Sequence, residues 1–292
     1  MELVALKGTE SASATSLETA LRQAGWWNTR RGLFTVNPDI DLDEDPEDSE
    51  GLESKDDPDW PDWTFNLLRE REEVLGEHYP FEVRSNEIHT KATISEHAAY
   101  LQLLAVTVAH SYQGSTRNDP RQVFELMVVS ALHSMGLRAT GMGTATTQGR
   151  AFPTELLAAG ERIGLKPSLA PYPRKRYAKD AGVDAVAVAD WADRRTGQLT
   201  FLLQATLARS EDWEKKISEP RPDLWVNYLN ERYHPIAALA VPHHIEREHL
   251  NHLIRDKATA FDRLRLTRLV DTTVEGIDEI INWLLGCDVA LL

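Results

Sequence analysis

The amino-acid sequence predicts an α/β (α+β) protein in which a mixed β-sheet is flanked by helices, with a mostly helical extension at the N-terminus. Two short apolar runs, Val183 to Ala189 and Leu199 to Leu207, are rich in Val, Leu, Phe and Thr. A link with a glycine near its end separates them, so together they predict a β-hairpin. A later apolar run, Pro235 to Val241, predicts a buried strand. Stretches of helical length lie before and after these runs, which completes the mixed pattern.

Composition divides the 292 residues into four regions. Residues 1–37 form an N-terminal segment with one amphipathic stretch. Residues 38–62 contain thirteen acids and one lysine, a net charge of −12, and predict a mobile acidic linker. Residues 63–116 predict a helical N-terminal region. Residues 117–292 contain the hairpin and are expected to form the functional domain.

Bulk charge does not exclude a nucleic-acid partner. The whole chain carries −14, and because residues 38–62 account for −12 of it, the remainder carries only −2. Cys287 is the single cysteine, so a disulfide within one chain and a cysteine-cluster zinc site are excluded. No apolar run approaches the length of a membrane span, and the N-terminus lacks a signal-peptide pattern. We therefore expect a cytoplasmic protein with no membrane partner.

Caps and helical spacing predict the remaining elements. Asp119 can cap a helix whose first position suits Pro120, and Gly136 marks the end of that helix. Residues 138–176 are predicted to connect this helix to the hairpin, with one helix inside the connection. The other predicted segments are helices at Asp62–Gly76, Ser95–Tyr112, Pro153–Gly164, Trp213–Ile217, Leu224–Tyr233 and Val274–Leu285, a β segment at Phe81–Thr93, and a strand or helix at Phe261–Val270.

The predicted hairpin carries an acid on one strand and an amide on the other. Because side chains alternate along a strand, Asp184 shares a face with Val186, and Gln204 shares a face with Leu202 and Thr206. A buried strand seldom carries a carboxylate, so this acid requires an explanation.

A divalent-metal site would explain the pair. Asp184 would supply a carboxylate, Gln204 a carbonyl oxygen, and the peptide carbonyl of Ala205 another oxygen. Such hard oxygens, completed by water and phosphate, are the ligands that Mg²⁺ or Mn²⁺ takes in proteins. In the structural alternative, Asp184 caps a turn and Gln204 hydrogen-bonds a neighbouring strand.

The motifs GVDAVAV and LLQAT resemble those of the PD-(D/E)XK nuclease superfamily, which has the restriction-endonuclease-like fold. The resemblance implies that Asp184 is the first acid of the motif and that Gln204 takes the place of its Glu or Gln. The lysine of the motif should follow two residues later, where this chain has Thr206. The resemblance leaves Lys215 or Lys216, in DWEKK, to replace that lysine from the next helix.

The segment RQVFELMVVSALHSMGL resembles the first core helix of Mrr-like nucleases, which implies that Glu125 joins the metal site. The alternative is a surface acid that interacts favourably with the helix dipole. The element order matches the α-β-β-β-α-β core of the superfamily over about Arg117 to His244. Further segments resemble a group of bacterial nuclease-like proteins of antiphage defence.

A basic cluster, formed by Arg174, Lys175, Arg176 and Lys179, precedes Asp184. Basic side chains beside a metal-site acid would bind the phosphate backbone of DNA. A solvated turn is the alternative interpretation. Four histidines also invite a metal interpretation, although no zinc signature is complete around them: His243, His244, His249 and His252.

Two functions follow from these observations. The first is a Mg²⁺- or Mn²⁺-dependent DNA endonuclease of a restriction or antiphage defence system, acting with a partner protein or as a homo-oligomer. In the second, Thr206 marks a decayed site, and the chain binds DNA or scaffolds a defence complex without cleaving.

Overall fold

The computed structural model describes residues 2–6, 12–13, 60–91, 98–112, 114, 116–142, 152–168, 182–189, 191, 193, 195, 197–255, 258–271 and 273–286. The chain divides into two compact units, Met1–Thr93 and Ile94–Leu292. Three sequence predictions lie outside the described residues: the amphipathic stretch of the N-terminal segment, the acidic linker up to residue 59, and the basic cluster (Arg174, Lys175, Arg176 and Lys179).

The first unit combines helices with a small sheet. Its elements are α1 (Glu2–Leu6), β1 (Ala12–Ser13), α2 (Trp60–Leu75), a 3₁₀ turn (Gly76–His78), β2 (Phe81–Arg84) and β3 (Glu87–Thr90). The strands form an antiparallel sheet in the order β1-β3-β2. The buried carboxylate of Glu2 accepts hydrogen bonds from Arg71 and Tyr79, which ties α1 to this unit. The predicted helix near residue 62 and the predicted β segment after residue 81 are confirmed.

Besides a 3₁₀ turn (Ser210–Asp212), the second unit contains thirteen described helices and strands. They are α3 (Ala98–Ser111), α4 (Pro120–Ser134), β4 (Arg138–Gly141), α5 (Phe152–Ile163), β5 (Ala185–Ala189), β6 (Leu199–Ala205), α6 (Trp213–Ile217), α7 (Pro222–Tyr228), β7 (Ile236–Ala240), α8 (Arg247–Leu253), β8 (Thr259–Phe261), α9 (Arg263–Leu269) and α10 (Ile277–Gly286). Helix α3, which the sequence analysis assigned to the N-terminal region, belongs to this unit.

The second unit is built on a five-stranded mixed sheet in the order β4-β5-β6-β7-β8. Strand β5 is antiparallel to both β4 and β6, whereas β6, β7 and β8 run parallel to one another. The predicted hairpin is confirmed as β5 and β6, with Ala187 opposite Phe201. The predicted strand near residue 236 is confirmed as β7. Fold class and the mixed sheet flanked by helices are therefore as expected.

Two elements differ from the sequence prediction. Residues 138–141 were assigned to a connection, and they form the edge strand β4. This strand has only four residues, so it shows no readable alternation, and its pairing with β5 defines it. The segment predicted as a strand or helix at Phe261–Val270 divides into the last residue of β8 and the helix α9, which Asp262 caps through the main-chain N–H of Arg265.

Two apolar clusters cover one face of the sheet. The first packs β5 and β6 against α5 and α7; it contains Val186, Val188, Leu202, Phe152, Leu156, Trp225 and Tyr228. The second packs β7 and β8 against α6 and α8; it contains Leu239, Ala260, Trp213, Ile217 and Leu253. Both lie on the same face because Gln204, two residues after Leu202, is the register partner of Leu239.

Helix α4 covers the other face. It contacts β4, β5 and β6, while its buried residues are absent from the cluster around Val186 and Leu202. Helix α3 packs against α4, α9 and α10. Contacts with three helices explain why α3 is apolar nearly all round, as expected for a buried helix. Among the described helices, none combines the length and apolar content that crossing a membrane requires.

Candidate functional site

The predicted polar pair meets at the edge of the sheet where β5 begins and β6 ends. Asp184 immediately precedes β5, and Gln204 is the second-last residue of β6. The side-chain amide of Gln204 donates a hydrogen bond to Oδ2 of Asp184. Both residues are buried, each with 8% of its surface exposed. The two side chains therefore lie on one face of the sheet, as a metal site formed by both would require.

Main-chain groups hold the Asp184 carboxylate in place. The N–H of Ala205 donates to Oδ2 of Asp184 at 2.8 Å, and the N–H of Asp184 donates to the carbonyl of Leu203 at 2.8 Å. On the other side, the carbonyl of Asp184 accepts from the N–H of Met142 at 2.6 Å. The backbone of Asp184 is thus fixed by its two neighbouring strands. The N–H of Ala205 donates to the Asp184 carboxylate instead of to a main-chain carbonyl.

The pair lies between the two apolar clusters of its face. Val186 and Leu202 belong to one cluster, and Leu239, the register partner of Gln204, belongs to the other. Polar groups with apolar neighbours on both sides interact more strongly than they would in water, because the local dielectric is low. This position strengthens the hydrogen bond between Gln204 and Asp184.

Thr206 occupies the position at which the resemblance requires a lysine. Its N–H donates to the carbonyl of Ala240 at 3.0 Å, which continues the pairing with β7. Its hydroxyl accepts from the N–H of Ala208 at 3.1 Å, so it stabilises the turn that ends β6. Thr206 therefore serves the local turn and supplies no cation.

The two candidate lysines lie on α6 in different environments. Lys215 is exposed. The ammonium of Lys216 lies 2.9 and 3.1 Å from the two carboxylate oxygens of Glu219, with 28% and 30% of the two side chains exposed. Lys216 was expected close to the Asp184 carboxylate, and the ion pair that it makes is with Glu219.

A glycine brings this ion pair toward the polar pair. Gly182 has φ of +73°, and a Cβ built on it would lie 2.6 Å from the carbonyl oxygen of Glu219. Helix α6 packs on Leu239 of β7 through Trp213 and Ile217, while Glu219 reaches the turn before β5. Residues 217–219 therefore cross the end of β6, the strand between β5 and β7, on the side of Gln204.

Glu125 lies on the opposite face of the sheet from Gln204, because α4 covers that face. It is partly buried. A turn of three residues joins α4 to β4, so the two elements run antiparallel. The sheet therefore separates Glu125 from the polar pair, and the structure does not bring Glu125 to Asp184 and Gln204 as the resemblance implies.

The histidines pack α8 on α6. The ring of His249 stacks on Trp213 at 5.3 Å between centroids, and His252 Nε2 lies 2.8 Å from Glu214 Oε1. Burial lowers the pKa of His249, although the nearby Glu214 carboxylate opposes this shift. No group of three or more His, Cys, Asp or Glu side chains that could hold a metal ion occurs among the described residues. The zinc interpretation gains no support from this part of the chain.

Sequence reasoning missed Glu219 and Gly182. The i, i+3 spacing of Lys216 and Glu219 is a readable signal for a helical ion pair. A glycine two residues before the candidate acid, in GVD, is a readable signal for a special backbone position. Neither signal predicts that the two would meet, because they lie on separate segments.

Comparison of the chain with models of known protein families, with curated proteins and with solved structures gave no match. A fold by itself does not determine a function. The functional conclusion therefore depends on the chemistry of the polar pair and its surroundings.

Proposed function

We propose that the chain is a Mg²⁺- or Mn²⁺-dependent DNA endonuclease of the PD-(D/E)XK type. The observation that carries the proposal is the contact between the Asp184 carboxylate and the Gln204 amide on adjacent strands at one edge of the sheet. This places a buried acid beside an amide at the chain positions where the resemblance expects the metal ligands.

The order of elements supports the proposal. Helix α4, strands β4, β5 and β6, helix α6 and strand β7 occur along the chain in the order α-β-β-β-α-β when two further helices are taken as insertions: α5 between β4 and β5, and α7 between α6 and β7. This is the core order of the superfamily, with the candidate acid at the start of its second strand and the amide on its third.

The donor set fits a hard divalent cation. Mg²⁺ commonly takes one or two protein oxygens and completes its shell with water and phosphate. Rotation of the Gln204 amide would turn its carbonyl oxygen toward an ion beside Asp184, and the Ala205 carbonyl is the third candidate ligand. A bound Mg²⁺ would activate water for attack on phosphorus and neutralise charge on the phosphate.

The protein side chains would hold and orient the reacting groups. Asp184 would keep its carboxylate fixed through the N–H of Ala205, so that little reorganisation is needed when a ligand binds. Lys216 would supply the cation that Thr206 does not, because it immediately precedes the segment that reaches Gly182, in the turn before β5. Lys215 is the alternative donor on the same helix.

A DNA substrate follows from the charge that such a site needs. Phosphodiester oxygens are bound by cations and lysine side chains. The basic cluster that precedes Asp184 would contact the backbone on either side of the scissile phosphate, and this contact would be lost as salt increases. A role in restriction or antiphage defence is part of the same proposal.

A plasmid-cleavage assay with Mg²⁺ or Mn²⁺ tests the proposal. We expect the wild type to cut plasmid DNA and Asp184→Asn to lower the rate by at least about a hundred-fold, because it removes the charged ligand. Asp193→Asn is the matched control, since Asp193 is exposed in the link between β5 and β6. Equal rates for the wild type and Asp184→Asn, or no cleavage with either ion, would refute the endonuclease.

One observation favours a second function. The Thr206 hydroxyl is engaged in a turn and offers no cation, as expected if the site has lost its catalytic lysine. The chain would then bind DNA or scaffold a defence complex. DNA binding by the wild type that is unaffected by Asp184→Asn, without cleavage, would favour this subunit.

A further inference from the structure

The last turn of α6 and the segment that follows it carry an ion pair between Lys216 and Glu219. Both Glu219 oxygens contact the Lys216 ammonium, and each of these side chains keeps nearly a third of its surface in solvent. The Glu219 main chain lies against Gly182, two residues before Asp184. The ion pair therefore involves the segment that contacts the turn before Asp184.

We propose that Glu219 is a positioning residue that occupies, on Lys216, the place of a DNA phosphate, and that an incoming phosphate displaces it. A carboxylate and a phosphate both accept charge-assisted hydrogen bonds from an ammonium, so each can replace the other. The exchange makes and breaks no covalent bond. This inference rests on the proposed function, because it takes DNA as the ligand.

The energetics favour an exchange of this kind. The ion pair is part-buried, yet each partner keeps nearly a third of its side chain in solvent, so water can solvate Glu219 when Lys216 leaves it. After the exchange, the Glu219 carboxylate is left close to a phosphate and repels it. The carboxylate thus weakens DNA binding twice, first by competing for the lysine and then by repulsion.

Measuring the affinity for a short fluorescent DNA duplex, at low salt and with EDTA to prevent cleavage, tests the inference. We expect Glu219→Gln to lower Kd about three- to five-fold, the size of one exposed ion pair. Lys216→Met should weaken binding by a similar factor. In the Lys216→Met background, Glu219→Gln should have less than half of its effect, because the competition for the lysine has been removed.

Glu214→Gln is the matched control. Glu214 lies on α6, the helix of Lys216, and pairs with His252 instead of a lysine. Glu214→Gln therefore changes the net charge by the same amount as Glu219→Gln. An affinity gain from Glu214→Gln as large as that from Glu219→Gln would overturn the inference. The same holds if Glu219→Gln leaves Kd unchanged, if its effect is equal in both backgrounds, or if no variant binds the duplex.

The cleavage assay separates this inference from the proposed function. Cleavage that depends on Asp184 without coupling between Lys216 and Glu219 keeps the endonuclease and refutes the role of Glu219. Coupling in the binding assay without cleavage under either metal keeps the role of Glu219 and refutes the endonuclease.

Discussion

At the scale of single residues, the contacts of the Asp184 carboxylate suit both a structural role and a chemical one. Asp184 accepts from the Gln204 amide and from the Ala205 N–H, and these bonds satisfy much of its hydrogen-bonding capacity. The structural alternative for these residues thus describes real contacts. A metal ligand also needs such contacts, because they orient the carboxylate. The contacts alone therefore fit both interpretations.

Substitution of Thr206 tests the displaced lysine directly. In a Lys216→Ala background, we expect Thr206→Lys to restore cleavage at least about ten-fold, because it places an ammonium two residues after Gln204 on the same face. The change also removes the hydroxyl that accepts from Ala208, at a cost of about 1 kcal/mol in the free energy of unfolding.

The measurements are plasmid cleavage and urea unfolding of the same samples. Thr206→Val in the same background is the control, since it removes the hydroxyl without adding charge. Restoration by Thr206→Val as well would contradict the electrostatic explanation, and so would full cleavage by Lys216→Ala alone.

At the scale of elements, the site depends on how short segments meet at one edge of the sheet. Helix α6 has five residues and cannot be stable alone. Trp213 and Ile217 hold it on β7, while Gly182 allows the following turn to approach the start of β5. The distance between Lys216 and the polar pair is therefore a property of three elements together.

Gly182→Ala should disturb this meeting point. The alanine would have to keep a positive φ, and its Cβ would lie 2.6 Å from the Glu219 carbonyl oxygen. We expect the free energy of unfolding to fall by about 2–4 kcal/mol, the sum of backbone strain and the clash. Urea denaturation with a constant m-value is the measurement.

Gly136→Ala is the matched control for Gly182→Ala. Gly136 has φ of +78°, and a Cβ there would meet no atom within 4 Å. It should therefore cost only about 1–2 kcal/mol, from backbone strain alone. Equal losses at both positions would show that the approach of Glu219 to Gly182 is unimportant for stability.

At the scale of the whole molecule, charge is concentrated in one segment. Residues 38–62 carry −12 of the total of −14. The second unit contains the five-stranded sheet, the polar pair and the lysine candidates. Net charge therefore says little about the surface that DNA would meet.

Deletion of residues 39–59 should leave the melting temperature unchanged within about 2 °C, because that stretch has few apolar residues to bury. Calorimetry measures the melting temperature, and a DNA-binding titration at low salt measures affinity. A sharp fall in the melting temperature would show that the segment is structural. A gain in DNA affinity at constant stability would show that the segment competes with DNA.

Local pattern in the sequence determined the strands β5, β6 and β7 and most of the helices. These follow from alternation and helical spacing, which act over a few residues. Only the tertiary structure decided that residues 138–141 form an edge strand, that Asp184 and Gln204 meet on one face of the sheet, and that Glu219 meets Gly182. Those outcomes depend on which segments pack together, and contacts between distant segments leave no periodic trace in the chain.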